Sequence, residues 1–196
     1  MAVLQRRGIQ SHQELQSLLQ PDPAPEAKAH FPDLECAVQR LLQACREGQA
    51  LAVCGDYDAD GMTSTALLVG VLSRLGAKPQ AAIPSRQSEG YGLNAAMVDR
   101  LAEQGVKLLV TVDNGISARE ALERAKALGL EVIVTDHHTI PPQRPPLLAL
   151  LHPALTPPNS PYRGLAGVGL AYVLAAAVAE RLRNPQALRT ALDLFC

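Results

Sequence analysis

Residues 53–64 read VCGDYDADGMTS, which sets carboxylates at Asp56, Asp58 and Asp60, every second position, ahead of Gly61. Three acidic groups so close repel one another and hold on to protons unless a cation or hydrogen-bond donors offset the charge. D-x-D-x-D-G also opens an EF-hand calcium loop, but that loop needs a bidentate Glu at its twelfth position and a helix on either side. Counting from Asp56, the twelfth residue is Leu67, and the residues before the cluster, LAVC, form a short apolar run of strand character. A cation-binding turn at the end of a strand is therefore the reading, with a ligandless aspartate turn as its structural alternative.

Two further clusters have the same setting. VKLLVTV (106–112) is an apolar strand pattern that runs into Asp113, Asn114 and Gly115, and EVIVT (131–135) runs into Asp136, His137 and His138. Alone, Asp-Asn-Gly is a common turn and two adjacent histidines can be surface residues. Placed directly after buried strands, they become candidate ligands and acid/base groups. Several carboxylates with one imidazole suit Mn²⁺ or Mg²⁺ better than zinc, which prefers His and Cys in tetrahedral geometry. A pair of ions in such a site serves in-line displacement at phosphorus.

The elements that must position these groups alternate. Helical spacing over Leu34, Ala37, Val38, Leu41, Leu42 and Cys45 follows Asp33 as N-cap and stops at Gly48. Helical patterns over 62–75 and 94–104, and one closed by a Ser117–Glu120 capping box and Gly129, separate strand candidates at 51–54, 80–84, 106–112, 131–135 and LLALLH. An alanine-rich helix is expected over 168–182. Such alternation predicts an α/β fold, a mostly parallel sheet with helices on both faces, and a site at the carboxyl ends of the strands. Residues 1–32 hold a short helical candidate over 11–19 and the proline-rich PDPAPEAKAHFP, a lead-in and linker before a domain over 33–196.

Composition narrows the partners. The net charge is −1 and only 3% of residues are aromatic, so there is no global basic footprint or stacking platform, and any polynucleotide must be held locally. The four cysteines lack CxxC spacing, which fits reduced thiols, and no apolar run reaches membrane-spanning length. The expectation is a cytoplasmic protein that engages no membrane.

Taken together, GDYDADGMTSTALL, EGYGLN, VTVDNGISA, VIVTDHHTIPP and PYRGLAGVGLAYVLA resemble the DHH phosphoesterase superfamily and, within it, the RecJ branch of single-stranded-DNA exonucleases. That resemblance implies metal-dependent phosphodiester hydrolysis, 5′ to 3′ on single-stranded DNA, in repair and recombination, with single-strand-binding protein as a further partner. It assigns Asp58 and Asp60 to separate Mn²⁺ or Mg²⁺ ions, makes Asp113 the bridge between the two, and adds His137 to the Asp60 ion. His138 would touch the phosphate and Asp136 would orient it, with Asp56 as a ligand or as turn stabilisation. Cys54 stands where some relatives have a histidine ligand and reads as strand packing. Gly167, in GLAGVG, is a candidate substrate-binding position or a tight helix start. Arg86, Arg144 and Arg163 are candidate phosphate contacts or solvated surface groups. Two alternatives stay open: a DHH phosphodiesterase of short oligoribonucleotides or cyclic dinucleotides, and a metal-free scaffold for replication or repair proteins. Because PQALRTALDLFC runs to Cys196 without a stop, the resemblance also implies a truncated catalytic domain whose missing part supplies one more metal ligand, so that this chain by itself is expected to be a weak or inactive exonuclease.

Overall fold

A computed structural model describes residues 2–20, 24–85 and 90–189. After two short helices, α1 (Ala2–Arg6) and α2 (His12–Leu19), the chain forms α3 (Leu34–Glu47), β1 (Ala50–Cys54), α4 (Ala59–Arg74), β2 (Lys78–Ala82) and α5 (Ala95–Glu103). It continues through β3 (Leu108–Val112), α6 (Arg119–Ala127), β4 (Glu131–Thr135), β5 (Ala149–Leu151) and α7 (Gly167–Arg181). All strand pairs are parallel, in the order β2-β1-β3-β4-β5. Parallel strands need long crossovers; the helices cover both faces, while a loop alone joins β4 to β5. Leu51 and Val53 of β1 point into a core with α3, α4 and α7, whereas Ala52 and Cys54 point into a second core with α5 and α6. Burial on both faces explains why β3 is apolar without alternation and buried throughout.

In this strand order the chain leaves β1 in one direction for β2 and resumes on its other side with β3. The crevice at the carboxyl ends of β1 and β3 is thus the switch point at which open α/β sheets bind ligands. Asp56 follows β1 and Asp113 follows β3, while Asp136 follows the adjacent β4.

Two local expectations give way to tertiary contacts, and a third to a local cap. Asp33 stands at the N-cap of α3 but makes no capping bond; its Oδ2 instead accepts from Arg144 at 2.5 Å and from Leu150 N–H of β5 at 3.0 Å. The Ser117–Glu120 capping box does not form, because α6 starts only at Arg119, after a turn whose Ile116 N–H is given to Asp136. Helix α4 begins at Ala59, within the acidic cluster, because Asp58 caps it through Gly61 N–H at 3.0 Å. The end of the proline-rich linker joins the core: Phe31 is buried and Tyr162 Oη donates to Pro25 O. Arg86 and the terminal pattern after Arg189 lie outside the described residues.

Candidate metal centre

The first carboxylates are set by the turn from β1 into α4. Asp56 is fully buried, and its Oδ1 accepts Asp58 N–H at 3.1 Å. A side chain at Gly61 would place Cβ 2.0 Å from that oxygen, so the turn closes only over a glycine. Asp60 lies in the first turn of α4, and its two oxygens accept the N–H groups of Gly167 and Val168, each at 2.7 Å. The first N–H groups of a helix lack intrahelical partners, and here the start of α7 uses two of them to hold Asp60. Gly167 also approaches Asp113 so closely that a Cβ would lie 2.6 Å from Asp113 Cβ.

Asp113 leaves β3 in the left-handed region, with φ of 61°, and is almost wholly buried. Short polar side chains tolerate that conformation where most others do not. Asn114 fastens the turn: its Nδ2 donates to Cys54 O and Val112 O at 3.0 and 2.9 Å, and its Oδ1 accepts Leu93 N–H at 3.0 Å. One amide thereby joins the ends of β1 and β3 to the loop before α5. Tyr91, in that loop, donates from Oη to Asp113 O at 3.2 Å.

From β4, Asp136 works as a clamp. Its Oδ1 accepts the N–H groups of His137 and His138 and the Nδ1 hydrogen of His138, at 2.8, 3.0 and 2.7 Å, while Oδ2 accepts Ile116 N–H at 2.9 Å. Three of the four bonds to this buried carboxylate thus fix the two histidines, and the fourth ties it to the turn after β3. His137 Nε2 reaches Asp113 Oδ1 at 2.9 Å and Asp60 Oδ2 at 3.6 Å, so the three expected ligands of one ion converge. Asp56, Asp58 and Asp113 each offer an oxygen within 4.8 Å of the others, and Asp113 likewise meets His137 and His138. Asp113 is the member shared by both groups.

The electrostatics are those of a site short of positive charge. Burial, followed by the negative charges of Asp60, Asp56 and Asp58, pushes the Asp113 carboxyl up to about 8. Burial also raises Asp56 above its usual range, against the Asp58 N–H bond that lowers it. For His138 burial disfavours the charged ring, yet the hydrogen bond to Asp136 and the surrounding carboxylates raise it overall. Asp56 Oδ2 is buried without a partner in hydrogen-bonding geometry among the described residues; the Tyr91 hydroxyl lies beside this carboxylate and donates to Asp113 O. An orphaned carboxylate oxygen beside carboxylates that raise one another's proton affinity fits a hard divalent cation with oxygen and imidazole ligands.

The DHH family N-terminal-domain model matches residues 50–196. The chain belongs to the DHH family. It is similar to the single-stranded-DNA-specific exonuclease RecJ of Escherichia coli K12, with 41% identity over 184 residues, or 91% of this chain and 30% of the relative. The RecJ of Bacillus subtilis 168 is 42% identical over 146 residues, 74% of this chain and 19% of its own length. The chain thus spans less than a third of these curated relatives. Among solved structures, exonuclease RecJ bound to manganese superposes with a TM-score of 0.73 at 43% identity, over 82% of this chain and 41% of that one. RecJ of Thermus thermophilus in complex with Mn²⁺ gives 0.69 at 40% identity, over 82% and 23% of the two chains.

Within this DHH domain the other sequence candidates lie as follows. Cys54 is fully buried in the second core, and burial pushes its thiol up to about 12, the state of a packing residue. Arg163 is exposed and donates to Thr156 O at 2.9 Å, while Arg144 is paired with Asp33. Gly167 presents its N–H to Asp60. Sequence reasoning passed over Asn114, Tyr91 and His152. The DNG and GYGL strings contain the first two, but nothing in their spacing reveals that they bind each other's turns.

Proposed function

We propose that this chain carries the phosphodiesterase centre of a metal-dependent 5′ to 3′ exonuclease acting on single-stranded DNA. The observation that carries the reading is the convergence of Asp58, Asp60, Asp113 and His137 on the β1/β3 switch point. Identity of about 40% to RecJ exonucleases supports the substrate class. Asp58, Asp60, Asp113 and His137, with Asp56 beside them, would hold Mn²⁺ or Mg²⁺. Such ions supply Lewis acidity, which neutralises phosphate charge and makes hydroxide available near neutral pH. The chain's own residues do the rest. With Nδ1 bound to Asp136 at 2.7 Å, His138 keeps Nε2 for a non-bridging phosphate oxygen. The start of α7 prevents Asp60 from turning away, and the fixed Asp113 turn spares the site reorganisation during reaction. Removal of nucleotides from a 5′ end belongs to repair and recombination, which brings with it a cytoplasmic location and single-strand-binding protein as a partner on the same strand.

The test measures bound metal after purification without chelator, then 5′-mononucleotide release from a long 5′-phosphorylated single strand in Mn²⁺. Short oligoribonucleotides, cyclic dinucleotides and bis(p-nitrophenyl) phosphate are assayed beside it, so that bond cleavage is read apart from grip on a long strand. Bound Mn²⁺ or Mg²⁺ with preferred release from single-stranded DNA is expected. Faster turnover of the small nucleotides would reassign the substrate, and a metal-free protein inert on every phosphodiester would leave only a scaffold.

A further inference from the structure

The residue after β5, His152, is buried, and its two ring nitrogens have different partners. Ala154 N–H donates to Nδ1 at 3.0 Å, which requires that nitrogen to be bare and puts the ring hydrogen on Nε2. Nε2 then donates to the main-chain carbonyl of His138 at 2.6 Å. The first bond is local and caps the 3₁₀ turn Pro153–Leu155. The second crosses 14 residues to the turn that carries both site histidines.

His138 is therefore held from two sides. Asp136 takes its N–H and Nδ1, and His152 takes its carbonyl. We propose that His152 is a positioning residue for the His137–His138 turn, its Nε2–H fixing the His138 peptide so that both rings face the carboxylates. The proposal rests on the reading of the site given above. Asp136 alone leaves the carbonyl side of the turn without an anchor, and His152 supplies it from β5, which pairs with β4 directly. A shift of about 1 Å at a group that contacts the reacting phosphate is enough to lower turnover by about a hundredfold.

The two bonds of His152 can be separated by side-chain length. An asparagine amide reaches about as far as Nδ1 and can accept Ala154 N–H; a glutamine amide reaches about as far as Nε2 and can donate to His138 O. The whole chain and its His152→Ala, His152→Asn and His152→Gln variants are compared by kcat and KM in Mn²⁺ on a 5′-phosphorylated single-stranded oligodeoxynucleotide and on bis(p-nitrophenyl) phosphate. Melting temperature and amide hydrogen exchange at His137 and His138, the latter by NMR in EDTA, are measured alongside. His152→Ala and His152→Asn are expected to lose about tenfold in kcat, with KM changed less than about twofold, and to exchange the two histidine amides about tenfold faster. His152→Asn recovers the melting temperature, and His152→Gln recovers kcat to within about threefold of wild type. Equal rescue by Asn and Gln, or exchange at His137 and His138 unchanged in every variant, overturns the proposal and leaves His152 as a turn cap. If the alanine variant does not fold, the Asn/Gln pair decides. A wild-type chain that neither binds Mn²⁺ nor cleaves either substrate sinks the functional reading, while the exchange rates still decide the role of His152.

Discussion

Replacing Asp113 by asparagine removes the charge at the centre of the site and changes little else. Asn tolerates the left-handed backbone at φ of 61°, and its Oδ1 can still meet His137 Nε2. Burial and the three neighbouring aspartates push the Asp113 carboxyl up to about 8 from an ordinary 3.8. The unfolded chain therefore releases this proton near pH 4, whereas the folded, metal-free chain keeps it until near pH 8. Rising pH favours unfolding across that interval, and the penalty is complete above it. The pKa difference multiplied by about 1.4 kcal/mol sets a ceiling of about 6 kcal/mol. Asp58 is exposed and Asp60 partly so, and water screens that share, so we expect a gain of about 2 kcal/mol. For a domain of this size that is a rise of about 4 to 8 °C in melting temperature. The assay is thermal unfolding by circular dichroism in EDTA. Near pH 3, below the unfolded-chain pKa, the two proteins should melt together; at pH 9 Asp113→Asn should be the more stable. Excess Mn²⁺ should reverse the order, because a ligand at a hundredfold its Kd adds about 2.7 kcal/mol to the wild type alone. A variant no more stable than wild type at pH 9 in EDTA, or equally stabilised at both pH values, refutes the electrostatic account.

Gly167→Ala should lower turnover at least about tenfold, because a Cβ there lies 2.6 Å from Asp113 Cβ and forces α7 away from Asp60; unchanged turnover with normal Mn²⁺ affinity would count against this role. Asp33→Ala leaves Leu150 N–H and Arg144 without their acceptor and should cost about 1 to 3 kcal/mol in urea unfolding with turnover per folded molecule unchanged, whereas a helix cap lost alone would cost about 1 kcal/mol. Asn114→Ala frees Leu93 N–H and loosens the Asp113 turn, so amide exchange at Leu93 should accelerate at least about tenfold; protection equal to wild type would show that the loop before α5 is held by something else.

Strand and helix identities were legible because each rests on a period read along the chain. Five apolar runs, all but the last two separated by helical patterns, imply parallel strands, and parallel strands bring all their carboxyl ends to one edge. From that the convergence of the acidic cluster, Asp113 and the two histidines follows without coordinates, as does the expectation of a divalent cation. The limits appear where one residue had two uses. Asp33 and Ser117 carry strong local capping signals, yet Asp33 binds β5 and the Ser117 turn serves Asp136, since a buried N–H or carboxylate without a partner costs more than a lost cap.

Folding alone decided which oxygens of the site are already committed. The α7 amides that hold Asp60 lie 107 and 108 residues away from it, and Asn114 joins Cys54 across 60. His152 is a lone histidine in the sequence and becomes the anchor of His138 only when β5 pairs with β4. Hydrophobic periodicity encodes which face of an element is buried, and it carries no information about which polar atom meets which across the sheet. The chemistry at the strand ends could therefore be named from residue types and spacing, whereas the orphaned oxygen of Asp56 and the clamps around Asp60, Asp113 and His138 exist only in the tertiary structure, where distant donors and acceptors compete for the same few buried partners.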